Sequence, residues 1–164
     1  MYERINLMKK RGIFLLLTIV VSIGLYTFYS FVNQDLDYSK LSVDELMKLA
    51  QKEDAEAQAL LGAYFEQGIK VKKNINESLK WNIKSANNGN TTAMVNLGYM
   101  YGNGIGVKKD HKKAFEWNLL AAKKGDPSAM FNVGKKYELG AGVEMNKEKS
   151  DYWLNQARQK RDHF

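Results

Sequence analysis

From Ala57 onward the chain returns to the same kind of side chain every 36 positions, so it must fold by laying copies of one small unit side by side. Gly62, Gly98 and Gly134 coincide at this offset, as do Gly68, Gly104 and Gly140, and Trp81, Trp117 and Trp153. Ala57, Ala93 and Ala129 align, then Leu61, Leu97 and Val133, then Phe65, Tyr101 and Tyr137, then Val71, Val107 and Val143. A unit of this length cannot hide an apolar face alone. Neighbouring units must cover one another, and a short solenoid results.

The local pattern inside each unit is helical. Ala57, Leu61 and Phe65 recur at i, i+4 and i+8, one face of a helix. Asp54, Asn90 and Asp126 stand ahead of these helices with side-chain oxygens that can accept from free N–H groups, and Pro127 suits a first helical position. Gly68, Gly104 and Gly140 stop the helices by entering a left-handed backbone region that side chains resist. Second helices begin at Asn74, Asp110 and Asn146 and carry the Trp; Asn74 with Glu77 has capping-box spacing. Glycine in mid-helix costs about 0.5 to 1 kcal/mol relative to Ala, so Gly62, Gly98 and Gly134 must admit a close neighbour. The recurring Trp is the expected bulk there, as core and not as part of a cofactor site.

These signals divide the chain into a capping helix at 41–53, repeat 1 at 54–89, repeat 2 at 90–125, and repeat 3 with the C-terminal end at 126–164. In the capping helix Ala50 is in register with Ala86 and Ala122. The helix around Trp153 runs into Arg158, Lys160, Arg161 and Asp162, a polar finish for the last exposed layer.

Upstream the composition changes. Gly12 to Val32 contains no charged side chain over 21 residues, and at about 1.5 Å per residue such a helix is close to a bilayer's hydrocarbon thickness. Lys9, Lys10 and Arg11 precede it and Asp35 and Asp37 follow, which puts 1–11 in the cytoplasm as a basic flank, 12–32 across the membrane as a signal anchor, and the rest outside. Ser22 and Gly24 offer a signal-peptidase alternative with release into the periplasm, but the apolar run continues past them. Residues 33–40 form a linker of at most about 29 Å. The formal net charge of +7 is shared between this N-terminal segment, +3 over residues 1–32, and the remainder, 21 basic against 17 acidic side chains. The latter balance is too mild to signal nucleic-acid binding.

The middle unit carries a specific string: Ala93-Met94-Val95-Asn96-Leu97-Gly98, Tyr101, Gly104-Ile105-Gly106-Val107, Asp110, Lys113-Ala114, Trp117, Ala121-Ala122 and Gly125. This resembles the Sel-one-like repeat family, relatives of the tetratricopeptide repeat, over about residues 41–160. Unit 1 departs at Lys70, where units 2 and 3 have Gly106 and Gly142, and unit 3 has Arg161 in place of the closing Gly. The fold expected is all-α: a short right-handed α-solenoid of helix-turn-helix repeats, preceded by one transmembrane helix. The resemblance implies a protein-binding scaffold without chemistry of its own. In tetratricopeptide geometry the first helix of each pair lines the concave surface, here with Glu56, Ala59, Leu60 and Ala63, then Thr92, Val95, Asn96 and Tyr99, then Ser128, Phe131, Asn132 and Lys135. Asn96 and Asn132 match the position from which related repeats hold a peptide; Tyr99, Phe131 and Lys135 add stacking area and charge.

Chemistry has little to work with. There is no Cys, which excludes disulfides, thiol catalysis and Cys-ligated zinc, and two histidines, His111 and His163, cannot make a multi-histidine metal site. No cofactor is expected. Some cysteine-rich relatives have been described as β-lactamases, but the paired cysteines and the Ser-x-x-Lys and Lys-Thr-Gly motifs are missing. The Gly102–Gly106 run follows a helix and lacks a Lys-Ser/Thr ending, so it is a turn and not a phosphate loop. Lys72-Lys73 and Lys108-Lys109 line one edge, with Lys112 and Lys113 near it, but Glu144-Met145 breaks the ridge in unit 3; it reads as solvated loop charge. The function expected is a single-pass scaffold of the bacterial inner membrane that binds a protein partner on the periplasmic side as an envelope adaptor. The alternatives are an immunity protein against a periplasm-delivered toxin and, less favoured, a hydrolase of peptidoglycan or β-lactams.

Overall fold

Each apolar stripe becomes a helix bounded by the capping residues beside it. A computed structural model describes residues 36–162; the expected basic flank and anchor at 1–32, linker residues 33–35, and His163 lie outside the described residues. After a short 3-10 turn at Tyr38–Lys40 come seven α-helices among the described residues: α1 (Val43–Gln51), α2 (Ala55–Gln67), α3 (Ile75–Asn87), α4 (Thr91–Asn103), α5 (His111–Lys123), α6 (Pro127–Leu139) and α7 (Lys147–Asp162). No helix of the described residues is long and apolar enough to cross a membrane.

The caps act through particular atoms. Asp54, Asn90 and Asp126 accept from the N–H groups of Ala57, Ala93 and Ala129 at 2.8 to 2.9 Å. Asn74 accepts from Asn76 and Glu77, but Glu77 sends its carboxylate to Lys80, and the Asn74 N–H donates to the Phe65 carbonyl. The expected reciprocal box is therefore half made at this helix. A complete one starts α1, where Ser42 accepts from the Glu45 N–H and the Glu45 carboxylate accepts from the Ser42 N–H and hydroxyl.

Tyr38 ties the turn before α1 to the start of α2: its hydroxyl donates to Asp54 Oδ2 at 2.8 Å while Asp54 Oδ1 caps the helix. Burial, then the bond to Asp54, push the phenol up from 10.0 to about 12. The fold thus favours the protonated form, so the stability this bond contributes is whole below pH 10 and is lost as pH climbs through about 12. Thermal midpoints recorded across that window should fall for the wild type and fall less for Tyr38→Phe; parallel profiles would remove Tyr38 as the cause.

Helices pack in sequence order, and α2 also touches α4, so the first helices of the repeats lie together on one side. One cluster joins Leu46 and Ala50 of α1 to Leu61, Tyr64 and Trp81; a second runs on through Met94, Leu97, Met100, Phe115, Met130 and Val133. Leu61, Leu97 and Val133 are fully buried, each worth about 1.5 to 3 kcal/mol over an exposed side chain. The face with which α3 and α5 meet the next repeat holds Leu79, Ile83 and Ala86, then Phe115, Leu119 and Ala122. In α7 the same positions are the exposed Asp151, Asn155 and Arg158, the polar layer expected of the last helix.

The mid-helix glycines do admit a close neighbour, but it is not the Trp. A Cβ on Gly62 would stand 2.7 Å from Asn82 Nδ2, one on Gly98 would stand 2.1 Å from Asn118 Nδ2, and one on Gly134 would meet Leu154 at 2.7 Å. In each case the filler is the residue after the Trp. Asn82 and Asn118 donate to the Ser78 and Ala114 carbonyls one turn back, so a compact amide sits flat against the facing backbone. Trp81 is buried with Lys84 Nζ 4.6 Å from its ring centroid, whereas Trp117 and Trp153 are half-buried against the second cluster.

The turns between paired helices fix the stacking distance. Gly106 (φ 69) rests on Ile75, and Gly142 (φ 82) on the start of α5, where an added Cβ would fall 1.9 Å from the His111 carbonyl oxygen. Lys70, the departure in unit 1, keeps the left-handed conformation (φ 57) despite its side chain. Its Nζ donates to the Ser39 and Leu41 carbonyls at 3.4 and 3.2 Å, which compensates for the glycine's absence.

Candidate partner-binding cleft

The candidate residues on α4 and α6 owe their direction to the helical period: Leu97 and Val133 point into the core, which turns Tyr99 and Phe131 outward at 58% and 44% exposure. Between these helices lies a cleft of about 300 Å³. Tyr99, Asn132 and Lys135 line it, so three of the five expected residues come together. Asn96 and Phe131 are not among its lining residues, although Phe131 stands one turn before Lys135 on the same side of α6.

The cleft also takes side chains that periodicity does not single out. Its buried part is Gly98 and Asn118, the same close contact that sets the helix spacing. His111 comes from the first position of α5, and Lys136 and Leu139 from the last turn of α6. Burial pulls the Lys136 ammonium below lysine's usual range. Lys135 is ion-paired with Glu138 one turn on, and both remain partly exposed. Leu139 is 68% exposed at one end. Two ammonium groups, an imidazole, three amides (Asn103, Asn118 and Asn132) and an aromatic ring can hold an extended polypeptide that carries an acidic group. No cluster of three or more His, Asp or Glu able to bind a metal occurs among the described residues.

The two asparagines aligned with peptide-holding positions have a structural partner each. Asn96 donates from Nδ2 to Asn82 Oδ1 at 3.3 Å, and Asn132 to Asn118 Oδ1 at 3.1 Å. Each amide therefore bridges a repeat to the one before it, and both are half-buried. At the first junction the equivalent pair is Leu46 and Leu60, which meet in the apolar cluster instead. Glu56, on the same side, accepts from Asn90 Nδ2 at 2.8 Å and holds the next helix.

Comparison with known proteins gives a consistent answer. The Sel1 repeat matches residues 55–90, 91–126 and 127–162. A Sel1 repeat protein from Oxalobacter formigenes superimposes with a TM-score of 0.67 at 30% identity, covering 73% of this chain and 93% of that one. A protective antigen of uropathogenic Escherichia coli strains with the same type of repeat gives 0.72 at 34% identity over 74% of this chain; the match spans 26% of the antigen. The Helicobacter pylori cysteine-rich protein B shares the fold at 22% identity, with a TM-score of 0.57 over 74% of this chain and 92% of its own. No curated protein sequence matches.

Proposed function

Because the chain belongs to the Sel1 repeat family, whose members typically mediate protein–protein contacts, we propose that it is a scaffold anchored in the bacterial inner membrane that holds a protein partner on the periplasmic side. The uncharged run Gly12–Val32 behind Lys9, Lys10 and Arg11 supports the anchor and its orientation. The observation that carries the binding reading is the exposed Tyr99 beside a cleft furnished with Asn132, Lys135 and Lys136. Aromatic rings at the margin of such a cleft concentrate binding energy because they lose much apolar area and little conformational entropy on contact.

The variant Tyr99→Ala with Phe131→Ala should weaken capture of the partner about thirtyfold, the effect of losing roughly 2 kcal/mol, with helical circular dichroism unchanged. Asn96→Ala should behave in the opposite way. It removes the bridge to Asn82, so it should lower the melting temperature while leaving capture near the wild-type level. Crosslinking in native membranes, followed by identification of the captured protein, supplies the readout. Capture unchanged by the double substitution would move the site away from α4 and α6. A cysteine introduced at Asn155, exposed on α7, tests the topology, since no other thiol competes for a membrane-impermeant label. Labelling of intact spheroplasts is expected, and labelling only after lysis would reverse the orientation.

A further inference from the structure

The two ends of the first two helical pairs differ in charge. At one edge of the stack the turn segments 68–75 and 104–113 carry Lys70, Lys72, Lys73, Lys108, Lys109, Lys112 and Lys113, all exposed, against one carboxylate, Asp110. That carboxylate is occupied in capping α5, where it accepts from the Lys113 N–H at 2.9 Å. None of the seven lysines is in an ion pair among the described residues, where the pairs are Lys80 with Glu77 and Lys135 with Glu138. At the opposite edge the turns 52–54, 88–90 and 124–126 set Lys52 and Lys124 against Glu53, Asp54 and Asp126. In the first two repeats the basic character therefore belongs to one edge; in the third, Glu144 and Glu148 offset Lys147 and Lys149 at this edge, and Arg158, Lys160 and Arg161 lie toward the far end of α7.

A concavity of about 410 Å³ opens on this edge, lined by Tyr101, Val107, Lys108, Lys109, Asp110 and Lys113. Lys113 Nζ stands 5.3 Å from the Tyr101 ring centroid, which leaves ammonium groups around a half-buried ring. Lys70 also donates to the Ser39 and Leu41 carbonyls on this edge, while the preceding Tyr38 reaches Asp54 at the other.

We propose that the lysine edge rests on an anionic lipid surface, with the lysines meeting headgroup phosphates. Exposed lysines outside any ion pair, with Lys72 and Lys73 repeated 36 residues on as Lys108 and Lys109, match a plane of negative charge, which needs no fixed geometry from its partner. The membrane is the occupant favoured over an acidic protein because a linker of at most about 29 Å keeps the repeats beside the lipid surface; in that respect the proposal rests on the anchor reading above. The attraction itself does not need the anchor.

The sequence has no Cys, so a single introduced thiol carries a probe without background. Asn76 and Asn87 are exposed residues near the two ends of α3, about 16 Å apart along its axis, one at the lysine edge and one at the far edge. The full-length chain, labelled at Asn76→Cys or at Asn87→Cys, is reconstituted into phosphatidylglycerol–phosphatidylcholine vesicles or phosphatidylcholine alone, with a quencher on the headgroups. Quenching should be stronger at position 76 than at 87 in the anionic vesicles. The difference should vanish in phosphatidylcholine alone and at about 1 M salt, where charges are screened beyond roughly 3 Å. Each lysine at such a surface is worth about a fivefold factor, so the combination Lys72→Gln, Lys73→Gln, Lys108→Gln and Lys109→Gln should reduce the lipid-bound population of the edge a hundredfold or more. Equal quenching at the two positions in anionic vesicles, or a difference indifferent to lipid charge and to these substitutions, overturns the proposal. Loss of the chain to alkaline carbonate extraction overturns the anchor instead. In that event the detergent-released chain added to preformed anionic vesicles gives the same two-position comparison. Free inorganic phosphate that abolished the difference at constant ionic strength would assign the site to soluble phosphate and likewise overturn the membrane reading.

Discussion

Gly98→Ala is expected to destabilise the protein by about 3 kcal/mol, although in an ordinary helix the change would favour folding by about 0.5 to 1 kcal/mol. The reversal comes from Asn118, whose Nδ2 lies 2.1 Å from where the new methyl group would stand. Asn118 is buried, donates to the Ala114 carbonyl and accepts from Asn132, so it cannot move aside without leaving a buried amide unsatisfied. The test is a double-mutant cycle read by urea denaturation. In an Asn118→Ala background the same Gly98→Ala change should be neutral or slightly stabilising, because the obstacle is gone and helix propensity remains. That amounts to a coupling of about 3 kcal/mol, the upper end of what contacting residues show. Additive costs would mean that the glycine serves something other than this contact.

Gly142→Ala should cost at least as much, for a different reason. Its φ of 82 penalises any side chain, and the Cβ would fall 1.9 Å from the His111 carbonyl oxygen and 2.7 Å from the Lys112 nitrogen. These are backbone atoms in the first turn of a helix, and neither can rotate away. Strain from a side chain in this region is about 1 to 3 kcal/mol, and forced overlap adds a comparable amount, so a loss of about 3 to 5 kcal/mol is expected. Gly106→Ala provides the control. There the first atom met is the Ile75 Cγ2 methyl at 2.6 Å and no backbone atom lies nearer than 3.6 Å, so a small shift of one side chain relieves the overlap and the cost should be smaller. Equal losses at the two positions would show that left-handed geometry alone decides.

Much of this was legible before any coordinates because it is local. The 36-residue period, the capping oxygens at Asp54, Asn90 and Asp126, and the left-handed stops at Gly68, Gly104 and Gly140 each depend on a few neighbouring residues. The filler opposite the mid-helix glycines was not legible. Trp is the larger and more regular side chain, yet what matters is direction, and a one-residue step along the helix turns the indole toward the side and Asn82 or Asn118 toward the glycine. The complete box at Ser42 and Glu45 was present as Ser-x-x-Glu but lay in a lone helix that the repeat does not duplicate. At the candidate cleft, the outward positions of α4 and α6 follow from period, which places Tyr99, Asn132 and Lys135. His111 and Lys136 arrive through the approach of separate helices, and no spacing in the sequence encodes that.

One outward position is read three times along the first helices, as Ala63, Tyr99 and Lys135, and its neighbour as Leu60, Asn96 and Asn132. The series passes from small and oily, through aromatic, to cationic, so the seam has a head and a tail. A strand laid along it in reverse would bring its acidic end to Leu60 and its greasy end to Lys135. If the proposed partner lies along this seam, its orientation is set by the order of the repeats, and exchanging two of them would turn it around without altering the frame that carries it.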